Sequence, residues 1–120
     1  LWGWMDRLWP GALTLVVQRS AEAAALDLGG SPATIGLRCP DDAFIRSIAS
    51  QVGPIATTSA NRHGEPTARS AVEAADSLTR SVDLVIDGGL SGAVASTVVD
   101  VTVDPWRILR RGPIADSDLS

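Results

Sequence analysis

Six polar residues stand at the edges of apolar runs in this chain: Thr34, Arg38, Ser59, Asn61, Ser96 and Arg110. Hydroxyls and an amide offer donors and acceptors without fixed charge, and two guanidiniums present forked donors that fit carboxylate or phosphate. As a group they suit an anionic or polar small ligand, with no side chain needed as a nucleophile. Singly, each has a plainer role: Arg38 or Arg110 as a surface cation, Ser96 as a turn residue. The densest stretch is Gly53-Pro-Ile-Ala-Thr-Thr-Ser-Ala-Asn61, a short apolar run leading into small polar side chains. The carboxyl end of a strand in an open α/β sheet is where ligands bind, because the strand fixes the backbone and the following loop stays available. The plainer reading there is a strand and a polar turn.

Other chemistries fit less well. Ser59 or Ser96 with His63 would be needed for a Ser-His-Asp arrangement, but nothing resembles a nucleophile elbow. The chain has one His and one Cys, which gives no side-chain metal site and no disulfide framework; the lone Cys39 fits a reducing cytosol. Asp41-Asp42 reads as a helix start rather than an acid–base pair. The loop Asp87-Gly-Gly-Leu-Ser-Gly92 offers backbone N–H groups to a phosphate, yet lacks the Lys-Ser/Thr of a P-loop. A net charge of −4 argues against a strong nonspecific grip on nucleic acid. All ten cationic residues are Arg, a bias that favours forked contacts with carboxylate or phosphate. No apolar run is long enough for a membrane span, and the Trp-rich start, which lacks an initiating Met, reads as the beginning of a fragment or a processed chain rather than a signal peptide.

The elements that must position these residues follow from periodicity and punctuation. Trp2, Met5, Leu8 and Trp9 have helical spacing, stopped by Pro10-Gly11. Leu13 to Val17 reads as a buried strand, Ser20 to Leu28 as a short helix ended by Gly29-Gly30, and Thr34 to Arg38 as a second strand. Behind Asp41-Asp42, Phe44, Ile45, Ile48, Ala49 and Val52 form an apolar stripe that Gly53 ends. Pro54 to Ala56 reads as a central strand. Ser70-Ala-Val-Glu73 is a capping box for a helix with Val72, Ala75 and Leu78 inward. Val82 to Ile86 reads as a strand, and Ser96–Val103 with Trp106–Arg110 as a hairpin through Asp104-Pro105. The fold class expected is α/β, a twisted open mixed sheet with short helices.

Six motifs occur in order: Leu8-Trp-Pro-Gly-Ala-Leu-Thr-Leu-Val16, Ile35-Gly-Leu-Arg-Cys-Pro-Asp41, Thr58-Ser-Ala-Asn-Arg-His-Gly-Glu-Pro66, Val82-Asp-Leu-Val-Ile-Asp-Gly-Gly89, Ser96-Thr-Val-Val-Asp100 and Ile108-Leu-Arg-Arg-Gly112. Together they resemble the YrdC-type domain of L-threonylcarbamoyladenylate synthases, from Leu8 to about Ile114. The resemblance implies a YrdC-like fold with a positively lined concave cavity. It also implies a nucleotidyltransferase reaction in which L-threonine, bicarbonate and ATP give threonylcarbamoyl-AMP and pyrophosphate for tRNA threonylcarbamoyladenosine modification. By the same resemblance Thr34, Asn61 and Arg110 face ATP, whose Mg²⁺ rides on the nucleotide. Arg38, Ser59 and Ser96 face threonine or substrate. No residue is assigned as catalytic or as a metal ligand.

Implied partners are double-stranded RNA or tRNA and the downstream tRNA threonylcarbamoyl-transferase machinery, in the cytoplasm and away from membranes. Family members carry an N-terminal portion with a Lys/Arg pair, whereas this chain starts just before Trp-Pro-Gly and has no Lys. Residues 1–120 are therefore expected to be roughly the C-terminal two-thirds of a single YrdC-like domain. The alternative is a catalytically inactive YrdC-like module binding nucleotide or double-stranded RNA, or a remnant.

Overall fold

The computed structural model describes residues 2–62, 64–92 and 94–120. The chain forms two compact units, Leu1–Ile55 with Val94–Ser120 and, separately, Ala56–Ala93. The first is built on a four-stranded mixed sheet. Its strands are β1 (Leu13–Gln18), β2 (Thr34–Leu37), β3 (Thr97–Asp100) and β4 (Arg107–Arg110), in the order β2-β1-β3-β4. β1 and β3 are parallel and central, with Leu13 beside Thr97 and Leu15 beside Val99. β2 adds antiparallel to β1, and β4 antiparallel to β3.

Side chains alternate across a strand, so this register sorts the sheet into two faces. Leu13, Leu15 and Val99 are buried on one face together with Leu119, from a final 3-10 turn at Asp116–Leu119. Trp4, Met5 and Leu8 of helix α1 (Trp2–Leu8) pack on that cluster with Trp9, Val17, Val101, Ile108 and Ile114. Of the residues whose spacing predicts α1, Met5, Leu8 and Trp9 cover the sheet, whereas Trp2 is exposed and Trp4 packs on the cluster instead. The Trp9 indole N–H donates to the Leu13 carbonyl at 2.8 Å and pins the helix exit to the first core residue.

Several elements depart from expectation. The helix expected over 20–28 is only α2 (Ala21–Ala24), capped by Ser20. Beyond it the Arg19 guanidinium takes the carbonyls of Thr34, Leu26 and Gly29. An Asp27 carboxylate oxygen accepts from Gly29 N–H, so the backbone turns instead of continuing the helix. Helix α3 (Ala43–Val52) has its expected cap, with Asp42 accepting from Ile45 N–H, and ends at Gly53 with φ +87°. Its stripe is not buried, since Phe44, Ile45 and Val52 are exposed.

In the second unit, helix α4 (Ala71–Ser77) is capped by Ser70, and the Glu73 carboxylate accepts from Arg69 N–H rather than from the cap itself. Val72 is 58 % exposed, so it is not on an inner face. Residues 54–56 and 82–86 form no strand, and Leu84 is 74 % exposed. An apolar run becomes a strand only when a neighbour takes its N–H and C=O groups, and neither run has such a neighbour among the described residues. No helix among the described residues is long and apolar enough to cross a membrane.

The β3–β4 pair is fastened by one carboxylate. Asp100, 5 % exposed, accepts from the Thr102 hydroxyl at 2.6 Å, from Thr102 N–H at 3.0 Å and from Arg107 at 3.2 Å. The Thr102 hydroxyl, then its backbone N–H, then Arg107 hold the Asp100 carboxyl below the usual carboxylate range, against the opposing effect of burial. A lowered folded value means the unfolded chain binds the proton more tightly. The contribution is therefore complete above the unfolded value and fades as pH falls through the folded one. Denaturant titrations from pH ~5 down to ~2 are expected to show a steeper loss of stability for the native protein than for Asp100→Asn. Equal slopes would show that Asp100 does not fasten the hairpin.

Candidate functional site

The face of the sheet opposite α1 carries polar side chains at the same register. Thr14 and Val16 alternate out of the core on β1. Their neighbours across the ladder put Gly36 beside Val16 and Thr34 beside Gln18, and Arg38 continues that side of β2. On β3 the same side belongs to Ser96, Val98 and Asp100, because Leu13 and Leu15 pair with Thr97 and Val99.

Arg110 reaches this face through an irregularity. Val99 pairs with Ile108 but Val98 pairs with Arg110, which leaves Leu109 as an extra residue on β4. With uninterrupted pairing Arg110 would stand opposite Thr97, on the core side; one inserted residue reverses that. Four expected site residues, Thr34, Arg38, Ser96 and Arg110, thus share one side of one sheet.

Ser96 is the joint among them. It is 4 % exposed. Arg110 grips it with a fork, Nε donating to the Ser96 carbonyl at 3.0 Å and Nη2 to its Oγ at 3.1 Å. The Thr14 and Ser96 hydroxyls are 2.7 Å apart. Gly112 passes so close that a Cβ there would stand 2.4 Å from Ala95 O and from Thr97 N, and 2.6 Å from the Ser96 carbonyl carbon. Only glycine lets the chain leaving β4 lie against this backbone.

Arg38 is held differently. Its Nε donates to Gly11 O at 2.9 Å, and Gly11 N–H returns a bond to Cys39 O at 2.8 Å. Among the described residues its Nη groups have no protein acceptor, which leaves them for an anion. Thr34 gives its carbonyl to Arg19, while its hydroxyl has no partner among the described residues.

In the second unit Thr58 Oγ1 accepts from Ala60 N–H, and Ala60 sits in the left-handed region at φ +52°. Asn61 donates through Nδ2 to Arg62 O at 2.9 Å and to Glu65 O at 2.8 Å. Its Oδ1 is buried without a partner among the described residues. A buried acceptor left unmet is costly, so a ligand that donates to it gains affinity. Arg62 donates from Nε to Ser77 O and ties this loop to α4. Ser59 is exposed. His63 lies outside the described residues, so the Ser59–His63 pairing weighed above receives no geometry.

Sequence reasoning missed Thr14, Gly112 and the role of Leu109. Thr14 had a signal, being the hydroxyl residue in the apolar strand Leu13 to Val17. A shallow groove of about 490 Å³ lies on the other side of the sheet, lined by Trp4, Val101, Val103, Asp104, Trp106, Leu119 and Ser120. Trp4 and Trp106 meet edge to face in it at 5.2 Å. Its walls are mainly apolar and it holds no guanidinium, so it does not match the polar side chains on which the site rests.

Comparison with known proteins bears on the family and the fold. Residues 1–112 match the Sua5/YciO/YrdC family, described as telomere recombination. The chain belongs to that family. A Mycobacterium leprae protein provisionally named threonylcarbamoyl-AMP synthase is 41 % identical over 108 residues, which is 89 % of this chain and 49 % of that protein. The Bacillus subtilis threonylcarbamoyl-AMP synthase is 33 % identical over 117 residues, covering 96 % of this chain and 34 % of the enzyme. The crystal structure of Pyrococcus abyssi Sua5 complexed with L-threonine superposes with a TM-score of 0.79 at 31 % identity, over 96 % of this chain and 34 % of that one. Escherichia coli YciO gives 0.81 at 28 % identity, over 98 % of this chain and 58 % of that one. The chain thus spans about half the length, or less, of the curated relatives it matches.

As a Sua5/YciO/YrdC domain the chain has a mixed sheet with short helices, as its motifs led one to expect. Gly112→Ala is expected to lower stability by about 1–3 kcal/mol, the usual cost of overpacking, and to loosen the seam around Ser96. Gly88→Ala, where a Cβ meets nothing within 4 Å, is the control and should be nearly neutral. Thermal melts of both variants decide it, and equal melting points would contradict the close approach.

Proposed function

We propose that the protein takes part in forming L-threonylcarbamoyl-AMP from L-threonine, bicarbonate and ATP, with release of pyrophosphate, for tRNA threonylcarbamoyladenosine modification. The observation that carries this reading is the pair of anchored guanidiniums on one sheet face, Arg38 fixed through Nε and Arg110 forked onto Ser96. The synthase names of relatives 33–41 % identical to this chain, and the L-threonine in the Pyrococcus abyssi structure, support it.

Adenylation is mostly positioning and charge neutralisation around an in-line displacement at phosphorus, with pyrophosphate leaving. Arg38 neutralises the threonine carboxylate through its Nη groups, with Ser59 as a substrate-side hydroxyl, while Ser96, buried beneath the Arg110 fork, serves the substrate by holding that guanidinium. Arg110 neutralises the nucleotide phosphates, which arrive as the Mg²⁺ complex of ATP. Thr34 and Asn61 serve the nucleotide, Asn61 by offering its unmet Oδ1 to a ligand donor. The setting is the cytoplasm, where tRNA and the enzymes that transfer the threonylcarbamoyl group are its partners.

The test is pyrophosphate release by the gene product that contains this chain. Release is expected only when ATP, L-threonine and bicarbonate are all present. Arg38→Ala is expected to raise KM for threonine, and Arg110→Ala to cut kcat/KM by about 100-fold, the effect of losing a charge-assisted contact. Release that does not depend on threonine, or variants that match the native protein, would overturn the reading.

A further inference from the structure

We propose that Thr14 is a positioning residue that holds the Arg110 guanidinium for an anionic substrate group by acting through the Ser96 hydroxyl. The inference rests on the anion-binding reading of this face and extends it to a residue that touches no ligand itself.

The Ser96 hydroxyl has one proton and two lone pairs. Arg110 Nη2 donates to one lone pair at 3.1 Å, and the Thr14 hydroxyl at 2.7 Å is either the recipient of the Ser96 proton or the donor to its second lone pair. In both cases Thr14 stops the rotation of the Ser96 O–H and keeps a lone pair aimed at Arg110. At 4 % exposure Ser96 has little access to water that would do the same.

The backbone is arranged for this contact. Parallel pairing sets Thr14 beside Val98, and Ser96, two residues earlier on the same face, is its diagonal neighbour, which the 2.7 Å hydroxyl contact closes. On the opposite flank β2 presents Gly36, where a Cβ would stand 3.4 Å from the Thr14 methyl. Thr14 thus keeps its methyl toward β2 and its hydroxyl toward β3. Arg110 is exposed along the strand and has rotamers to spare, so its single pose depends on the two bonds to Ser96. On the proposed function the anion it awaits is a nucleotide phosphate; a carboxylate would fit the same guanidinium fork, and the test separates the two.

The gene product containing this chain is titrated calorimetrically with Mg-ATP and, separately, with L-threonine. The proteins compared are the native form, Thr14→Val, Thr14→Ser, Ser96→Ala and the double variant Thr14→Val/Ser96→Ala. Thr14→Val is expected to weaken the ligand held by Arg110 about tenfold, while Thr14→Ser stays within about threefold of native. Thr14→Val should add nothing to Ser96→Ala, because both act on one bond. A loss confined to ATP assigns the phosphate, and one confined to threonine assigns the carboxylate.

Native affinity in Thr14→Val, equal losses in the Val and Ser variants, or additive losses in the double variant would overturn the proposal while leaving the function standing. A native protein that binds neither ligand would overturn both. Should Thr14→Val not fold, Thr14→Ala carries the same comparisons.

Discussion

The parallel pairing of β1 with β3 is the constraint on which the rest of the first unit depends. It joins segments more than eighty residues apart, as the Thr14–Ser96 contact shows, and fixes both faces of the sheet at once. On one face it seals Leu13, Leu15 and Val99 under α1 and Leu119. On the other it brings the Thr14 hydroxyl to Ser96 and leaves Ser96 for Arg110 to grip. A slip of one residue would exchange the two faces, placing leucines outward and hydroxyls in the core. Burial of the leucines therefore enforces the geometry of the polar face, and the site inherits its precision from the core.

The polar face shows how a strand irregularity does chemical work. The extra Leu109 turns Arg110 away from the core side and onto the side of Val98 and Ser96. Gly112 then lets the departing chain lie against the Ser96 backbone, closing the fork from behind. Asp100 secures the same hairpin from its other end through Thr102 and Arg107. Two anchored guanidiniums on a backbone held at both ends are suited to substrates that carry charge before and during reaction.

Much of this is legible in the residues. β1 is an uncharged run of Leu, Thr and Val, and its bounds and burial follow from that composition. The helix starts at Asp42 and Ser70 and the stop at Gly53 depend on local chemistry and stand where that chemistry puts them, and the terminal hairpin forms, though its first strand ends at Asp100 rather than Val103 and its loop runs over 101–106. What could not be read depends on partners distant in sequence. Residues 82–86 have the composition of a strand, yet no ladder partner among the described residues. The α3 stripe has helical period, yet Phe44 and Val52 remain exposed. The bulge at Leu109 leaves no mark in composition, so the residues single out Arg110 but not its route to the face. Arg38, Ser96, Thr34 and Arg110 share one face by register, which residue types alone do not show.

The central claim is that Arg38 and Arg110, each anchored through Nε, present their remaining N–H groups to anions on the outer face of the sheet. A crystal structure of the gene product with L-threonine and a non-hydrolysable ATP analogue tests it most directly. The account predicts a carboxylate or phosphate oxygen within hydrogen-bond distance of the Nη groups of both arginines, with the bonds to Gly11 O and Ser96 kept. Ligands bound elsewhere, with both guanidiniums still in solvent, would contradict it.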